Sequence, residues 1–220
     1  MVGNKGNPFL GARDWFDIGM KAWASFDEGE ILPELRLAND GAIEDYLNIN
    51  GCRYYQWSAS LIDAMRPKQV VELGGAMGVW TICASYTLLP SSKLYSITLP
   101  EHGLDFAYMP VPPPNVFLLR GDDLDMSNWE GVDLKNTDLW FIDTGIADDH
   151  FAEQLQKELK LYAPYFKKGA VILLDDIHKN KGMEGVWNAL VLDPRFDCYD
   201  GTDPLHWTGF GVCVFKGHVN

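Results

Sequence analysis

Val70-Val71-Glu72-Leu73-Gly74-Gly75-Ala76-Met77-Gly78-Val79-Trp80 is the stretch that decides the fold, since it has the pattern of an apolar strand, a glycine-rich turn and the start of an apolar helix. Glycine permits the positive φ angles and the close backbone approach that a sharp strand-to-helix turn needs. The first turn of a helix also offers free N–H groups to polar atoms of a ligand. The spacing matches neither GxGxxG nor a Walker sequence, which ends in Gly-Lys-Ser/Thr. We therefore expect either a loop that binds a nucleotide-like cofactor or an ordinary turn between strand and helix.

The charge at the end of this strand narrows the kind of ligand. Glu72 is acidic, which is the wrong charge for a loop that grips a pyrophosphate. A carboxylate suits a ligand that carries an ammonium or sulfonium group. If the loop binds a cofactor, the sequence thus favours a cationic one over a dinucleotide.

Beyond the loop, segments with the pattern of strands alternate with segments that have helical periodicity. Such alternation predicts an α/β fold with a mostly parallel sheet and right-handed crossovers. The last two apolar segments, 196–199 and 210–215, pair naturally as an antiparallel hairpin. The other predicted strands are 70–73, 93–99, 116–120, 138–143 and 170–174, and the predicted helices are 57–65, 79–89, 151–162 and 185–192.

Composition and charge limit the cellular compartments and the classes of partner that we expect. The formal net charge is −13 and the basic residues are scattered, so we expect neither nucleic acid nor an anionic membrane surface as a partner. No apolar run approaches the roughly 20 residues of a membrane span. The N-terminus lacks the pattern of a signal peptide, and the four cysteines contain no CxxC pair. We expect a cytoplasmic protein with free thiols.

The chain divides into two predicted regions. Residues 1–50 are rich in aromatic residues and turn formers, and we expect a helical extension that packs on the core or on a partner chain, which would allow a homodimer. Residues 51–220 form the predicted cofactor-binding domain.

The pattern Glu-x-Gly-x-x-x-Gly after an apolar strand resembles the first motif of the class I S-adenosylmethionine-dependent methyltransferases, and the resemblance covers residues 55–215. It implies a Rossmann-like, doubly wound, mostly parallel seven-stranded sheet with a C-terminal antiparallel hairpin. It also implies that Glu72, Gly74, Gly75 and Gly78 line the methionine part of the cofactor.

The resemblance further implies contacts for the nucleoside. In the family, an acidic residue at the end of the second strand holds the ribose hydroxyls. Here that position holds Thr98, and the nearest carboxylate is Glu101, so Glu101, Thr98 or a water molecule takes this role. The third strand ends in Gly121-Asp122, which is similar to the family's Gly-Asp beside the adenine amino group. Asp122 is the predicted adenine contact, and we expect the neighbouring Asp123 to be a turn or surface acid.

Carboxylates end the fourth and fifth predicted strands. Asp143 ends the fourth, and Asp175 and Asp176 follow the fifth. Adjacent parallel strands end at the same edge of a sheet, so we expect these carboxylates to lie close together. Such a set is unfavourable without a cation, and oxygen ligands suit Mg²⁺, Ca²⁺ or Mn²⁺. We predict a divalent metal site, with Mg²⁺ as the expected ion, and the alternative is that these acids only cap helices or turns.

Phe-Ile-Asp followed later by Leu-Leu-Asp-Asp-Ile resembles the metal-dependent O-methyltransferases, including catechol-type, macrolide-sugar and cephalosporin-hydroxylase-like members. This resemblance implies that Asp143, Asp175 and Asp176 bind the metal, that Asp143 also adjoins the cofactor, and that the methyl acceptor is a hydroxyl of a small molecule. Asp143, His150 or His178 would take the proton, although the segment before His150 is longer than in many relatives. The aromatic residues predicted to wall the acceptor pocket are Tyr54, Tyr55, Trp57, Trp187 and Trp207.

Three alternatives remain open from the sequence. A metal-independent methyltransferase needs only the glycine loop. A nucleotide-cofactor oxidoreductase on the same fold is disfavoured by that loop and by the missing acid on the second strand. A binding protein without catalytic activity is disfavoured by the intact set of three aspartates.

Overall fold

Seven strands form one sheet in the computed structural model, which describes residues 10–25, 53–99, 106, 109, 111–145 and 150–218. The strand order is β3-β2-β1-β4-β5-β7-β6, and β7 runs antiparallel to both of its neighbours while the other pairs are parallel. The predicted α/β fold, with a mostly parallel sheet and a terminal hairpin, is confirmed. The strands are β1 Gln69–Leu73, β2 Lys93–Thr98, β3 Val116–Arg120, β4 Leu139–Ile142, β5 Val171–Asp175, β6 Phe196–Asp200 and β7 Phe210–Phe215.

Helices cover both faces of this sheet. Two of them begin earlier than their apolar periodicity predicts. The helix expected at 57–65 begins at Tyr54, and the one expected at 185–192 begins at Lys181, because the Asn180 side chain accepts a hydrogen bond from the Met183 N–H at 3.0 Å and caps it. The helices are α1 Ala12–Ala24, α2 Tyr54–Met65, α3 Val79–Thr87, α4 Phe151–Tyr162, α5 Lys181–Leu192 and the single turn α6 Thr202–Leu205.

The two faces of the sheet bury alternate residues of each strand in separate cores. On β4, Phe141 belongs to the core under α1, α2 and α3, whereas its neighbour Trp140 belongs to the core under α4 and α5. The Trp80 ring of α3 stacks on Phe141 with centroids 4.5 Å apart. The central strands are buried on both sides, so their sequences are continuous apolar runs.

The described part of the N-terminal region is the helix α1, which packs on α2. A Cβ at Gly19 would lie 2.6 Å from the Trp57 ring, so the two helices are in close contact there. The Phe16 ring lies 4.7 Å from Tyr199 of β6, and Asp197 accepts a hydrogen bond from the Ala12 N–H at 2.8 Å. Residues 26–50 and the predicted boundary at residue 50 lie outside the described residues, and the homodimer stays a prediction.

Within the described part of the chain, no helix combines the length and the apolar character that crossing a bilayer requires.

Glu72 is a buried carboxyl group in the middle of the sheet. The Thr81 hydroxyl of α3 donates to its Oε2 at 2.5 Å. Burial raises its pKa from 4.5 to about 7, hydrogen bonds from Ser96 and Thr81 lower it, and the negative charge of Asp143 adds to the rise. Because the folded-state pKa is raised, the folded protein loses stability as the pH rises from about 4.5 through 7, where the unfolded chain ionises more readily.

The variant Glu72→Gln tests this account of the pH dependence. Gln has the size of Glu and can accept the Thr81 hydrogen bond without a charge. We expect the variant to match the wild type near pH 5 and to exceed its free energy of unfolding at pH 8.5 by up to about 3 kcal/mol. Urea unfolding at the two pH values measures the difference. The exposed Glu153→Gln serves as the control, and an identical pH slope in Glu72→Gln and wild type would contradict the prediction.

Candidate active site

The glycine loop between β1 and α3 has a backbone that side chains rarely permit. Gly74 and Gly78 have φ angles of 90° and 88°, and Ala76 between them has a φ of 42°. The N–H groups of Gly74 and Gly75 both donate to the Ile97 carbonyl of β2, at 3.1 and 2.8 Å. A Cβ at Gly74 would overlap the carbonyl oxygen of Asp143, so the loop lies directly against the end of β4. The predicted turn therefore forms with glycine at the positions where a side chain would not fit.

A cavity of about 330 Å³ opens beside this loop, at the carboxyl ends of β1, β2 and β4. This is the edge of a parallel sheet at which ligands bind in doubly wound folds. Its wall combines backbone groups of the glycine loop with polar side chains from three other segments. The lining residues are Gly74, Ala76, Ile97, Thr98, Leu99, Gly121, Asp123, Asp143, Thr144, Gly145 and Gln154.

The residues predicted from the sequence to bind the cofactor divide between this cavity and its surroundings. Gly74, Thr98 and Asp143 line it. Glu72 is buried behind the loop against Thr81, so it supports the loop from the sheet side. The Thr98 hydroxyl accepts a hydrogen bond from the Ala76 N–H at 3.1 Å and thereby holds the loop.

Two other predicted cofactor residues, Gly75 and Gly78, do not line the cavity. Gly75 packs against Ser96 and Phe106, where a Cβ would collide. Gly78 is the N-cap residue directly before α3. Glu101, the alternative ribose contact, lies outside the described residues.

Of the adjacent pair Asp122 and Asp123, the second one faces the cavity. Asp122 is exposed, and its Oδ1 accepts the Leu124 N–H at 2.9 Å in a local turn. Asp123, expected to be a turn or surface acid, is instead 5% exposed and lines the cavity. The structure thus places Asp123, rather than Asp122, in the lining of the cavity, and the adenine contact itself stays a prediction.

A buried polar network continues from Asp123 into α4. The Gln154 amide donates to Asp123 Oδ1 at 3.3 Å and to Glu158 Oε1 at 2.7 Å, and the Thr144 hydroxyl donates to Glu158 at 2.5 Å. Burial raises the pKa of both carboxyl groups. The negative charge of Asp122 adds to the rise at Asp123, and that of Asp123 adds to the rise at Glu158. This network fixes the far wall of the cavity.

The predicted carboxylate set comes together at the ends of β4 and β5. Asp143, Asp175 and Asp176 line a second, narrow recess that lies beside the first cavity, and Asp143 lines both. Burial raises the pKa of Asp143 to about 7, the charge of Asp176 adds to the rise, and His206 and Lys179 oppose it. Burial and the charges of Asp143 and Asp176 raise the pKa of Asp175.

His206 joins this cluster from the loop between β6 and β7. Its Nε2 lies 3.5 Å from Asp175 Oδ1 and 3.7 Å from Asp176 Oδ1. The Thr208 hydroxyl donates to Asp176 Oδ1 at 2.5 Å and lies 2.7 Å from His206 Nε2. No motif surrounds His206 in the sequence, so it was not among the predicted site residues. The strand order could have indicated it, because the loop before the antiparallel strand β7 returns to the edge of the sheet where β5 ends.

Asp176 has an unusual backbone as well as several partners. Its φ is 58°, in the left-handed region that residues with a side chain rarely adopt. Burial alone would raise its pKa, but the nearby His206 and hydrogen bonds from Lys179 and Thr208 lower it below the ordinary value. Asp176 is therefore the carboxylate of the cluster that stays ionised most readily.

The two histidines predicted as general bases line neither the cavity nor the recess. The His150 side chain is 73% exposed at the start of α4, and its Nδ1 is 3.9 Å from Glu153. His178 Nε2 lies 2.7 Å from Asp200 at the end of β6, and the His178 N–H donates to the Thr208 carbonyl at 2.8 Å. His178 thus ties the loop after β5 to the hairpin that carries His206.

The aromatic residues predicted to wall the acceptor pocket differ in exposure. Four of them, Tyr54, Tyr55, Trp57 and Trp187, are buried in the two cores. Trp207 follows His206 directly and is 76% exposed. Of the predicted wall, Trp207 is the residue that offers a free aromatic surface beside the carboxylate cluster.

The chain matches no protein-family model and no curated protein. Solved structures share its fold at low identity. An O-methyltransferase from Bacillus cereus in complex with SAH aligns with 93% of this chain and 100% of its own, at 15% identity and a TM-score of 0.59.

Two further structures extend this similarity. The O-methyltransferase of tomaymycin synthesis from Streptomyces achromogenes, in complex with SAM, aligns over 95% of this chain and 100% of its own, with 18% identity and a TM-score of 0.55. An SAH-bound methyltransferase from Podospora anserina aligns over 91% and 88%, with 15% identity and a TM-score of 0.56. At these identities the likeness establishes the fold.

The contact between the glycine loop and β4 leads to a stability prediction. Gly74→Ala places a methyl group against the Asp143 carbonyl oxygen, whereas Gly131→Ala has open space around it at a similar φ of 81°. In both variants an alanine must adopt a left-handed backbone, which is unfavourable. In Gly74→Ala the added methyl group also overlaps a neighbouring atom. We expect Gly74→Ala to lose about 2 kcal/mol more than Gly131→Ala in urea unfolding. Equal losses would contradict the close approach of loop and strand.

Proposed function

We propose that the protein is an S-adenosylmethionine-dependent O-methyltransferase that acts on a hydroxyl group of a small molecule and uses a divalent metal to hold the acceptor. One observation carries the proposal, namely that Asp143 lines both the cavity beside the glycine loop and the recess formed by Asp175 and Asp176. A cofactor in the first space and an acceptor above the second would meet at that residue. Methyl transfer needs this arrangement, since an in-line displacement depends on the proximity of its two reactants.

The cavity beside the glycine loop suits S-adenosylmethionine in shape and charge. Backbone of the glycine loop lines the cavity, and the buried carboxyl groups around the loop favour a sulfonium over a pyrophosphate. Asp123 and Thr98 also line it, and in our proposal Asp123 contacts the adenine amino group and Thr98 the ribose. The SAM-bound and SAH-bound structures that share the fold support the same assignment.

The carboxylate cluster suits a divalent cation. Among the described residues, Asp175 Oδ1 is buried without a hydrogen bond, and the three carboxyl groups face Lys179 and His206. Asp143, Asp175 and Asp176 would hold the ion. When bound, a divalent metal fixes a hydroxyl oxygen of the acceptor and lowers its pKa.

The acceptor would lie on the solvent side of this cluster. Asp143, between the two spaces, is the residue that we assign to the proton of the acceptor hydroxyl. The exposed Trp207 ring offers a flat apolar surface for the acceptor skeleton. The predicted bases His150 and His178 line neither space, since His150 is exposed at the start of α4 and His178 contacts Asp200, so the proposal rests on Asp143.

A metal-independent methyltransferase is the second candidate, and one observation favours it. The Lys179 ammonium contacts Asp176 at 2.8 Å, and His206 faces both Asp175 and Asp176, so protein groups already supply part of the compensating charge. In that case Asp143 or His206 would take the proton of the acceptor directly.

Asp122 and Asp123 provide a matched pair for testing the cofactor assignment. We expect S-adenosylmethionine to bind the wild type in isothermal titration calorimetry, and Asp123→Asn to weaken binding by about tenfold, roughly the value of one charge-assisted hydrogen bond. Asp122→Asn should change it by less than about twofold, because its side chain serves a surface turn. Absence of binding at millimolar cofactor would overturn the proposed function. The reverse ranking of the two variants would overturn only the role of Asp123.

Chelation separates the metal-dependent from the metal-independent reaction. We expect EDTA to abolish methyl transfer to a vicinal diol or catechol probe and a divalent metal to restore it, with cofactor affinity nearly unchanged. Asp175→Asn should reduce turnover by about 100-fold or more, since one ligand is lost, while calorimetry still detects the cofactor. Turnover that is insensitive to EDTA would remove the metal from the proposal and leave the methyltransferase assignment standing.

A further inference from the structure

We propose that His206 is a metal ligand together with Asp175 and Asp176, and that its imidazole makes the site prefer first-row transition metal ions such as Mn²⁺ over Mg²⁺. The inference rests on the proposed function for the role of the metal and goes beyond it in naming a nitrogen ligand and a metal class. The carboxylates by themselves indicate a site for Mg²⁺, Ca²⁺ or Mn²⁺ alike.

The three donor atoms already face a common point. His206 Nε2 lies 3.5 Å from Asp175 Oδ1 and 3.7 Å from Asp176 Oδ1, and the donor atoms of the three residues all lie within 4.8 Å of one another. Bonds of about 2.0–2.2 Å to a shared ion place neighbouring ligand atoms about 3 to 3.5 Å apart. The side chains therefore need only small shifts to close around an ion.

The other oxygen of each carboxylate is held by a separate partner, so Oδ1 is the one presented to His206. The Tyr54 hydroxyl donates to Asp175 Oδ2 at 3.0 Å, and the Lys179 ammonium donates to Asp176 Oδ2 at 2.8 Å. Groups that orient ligating carboxylates in this way are a regular part of metal sites. Tyr54 is fully buried at the start of α2, which makes this orientation rigid.

An unpaired buried oxygen is the independent sign of a missing partner. Asp175 Oδ1 has no hydrogen bond, although its side chain is only 6% exposed. A buried acceptor without a partner costs free energy that a cation at this point would recover. The Thr208 hydroxyl, which lies between Asp176 Oδ1 and His206 Nε2, keeps the histidine ring next to the carboxylates.

The histidine changes which ions the site favours. Imidazole nitrogen is a softer donor than a carboxylate oxygen and binds first-row transition metals well, whereas Mg²⁺ takes oxygen ligands almost exclusively. A site that has an imidazole beside its carboxylates should therefore bind Mn²⁺ more tightly than Mg²⁺, and the difference should depend on His206.

Pulsed electron paramagnetic resonance of bound Mn²⁺ tests the nitrogen ligand directly. The full-length chain is treated with EDTA, dialysed and loaded with one equivalent of Mn²⁺. We expect a ¹⁴N coupling from a directly bound imidazole in the wild type, its loss in His206→Ala and His206→Gln, and its retention in His218→Ala. His218 is a suitable control because it contacts Phe215, at the end of β7 opposite to the cluster.

Calorimetric titrations with Mn²⁺ and Mg²⁺ test the preference. We expect His206→Ala to weaken Mn²⁺ binding by about tenfold or more and Mg²⁺ binding by less than about threefold. Circular dichroism and S-adenosylmethionine binding, measured on the same samples, report whether each variant is folded and whether the cofactor site is intact. His206→Gln, which keeps a polar side chain of intermediate length, replaces His206→Ala if the alanine variant does not fold.

The outcomes separate this inference from the proposed function. Mn²⁺ binding without a ¹⁴N coupling, or with unchanged affinity in both His206 variants, would overturn the histidine ligand and leave a site made of carboxylates alone. Absence of any divalent binding to a folded protein that still binds S-adenosylmethionine would overturn the inference and favour the metal-independent methyltransferase. Loss of cofactor binding in the wild type would instead count against the proposed function itself.

Discussion

The contact between the Gly74 backbone and the carbonyl oxygen of Asp143 is the constraint on which the arrangement of the site depends. No side chain fits between the loop after β1 and the end of β4, because a Cβ at Gly74 would overlap that oxygen. The loop consequently lies flat against the neighbouring strand, and the cavity beside it shares a wall with the recess that holds the aspartates. A larger residue would push the two spaces apart and separate a bound cofactor from the carboxylates.

The same edge of the sheet buries several carboxyl groups, and the fold stabilises them in two ways. Next to the cavity, uncharged donors from Gln154 and Thr144 hold Asp123 and Glu158, and burial raises the pKa of both acids. In the recess, lysine and histidine side chains face the carboxylates instead. The first arrangement favours the neutral form of the acids, whereas the second stabilises negative charge that an added cation could share. That difference is why we assign the cofactor to one space and the metal to the other.

The sequence predicted the parts of this structure that depend on local pattern. The glycine loop, the strand ends that carry Asp143 and Asp175, and the helix 151–162 lie where apolar runs and turn residues placed them. It favoured Asp122 over Asp123, whereas Asp123 lines the cavity. The difference depends on which of two adjacent residues turns inward after β3, and a run of acids has no apolar pattern that reveals it. Helix starts were misplaced at Tyr54 and Lys181, where a cap or aromatic packing, rather than periodicity, determines the boundary.

His206 was missed for a different reason, which follows from topology. Because β7 runs antiparallel to β5, with Phe210 opposite Asp175, the residues just before β7 arrive at the same edge as the carboxyl end of β5. β6 runs parallel to β5, so its last residue, Asp200, reaches that edge too and contacts His178. A search for ligands in a sheet of this order should therefore include both ends of the loop between β6 and β7, as well as the carboxyl ends of the parallel strands. The hairpin that closes the sheet thus brings the His206 imidazole next to the carboxyl groups at the end of β5, where the sequence alone predicted oxygen donors.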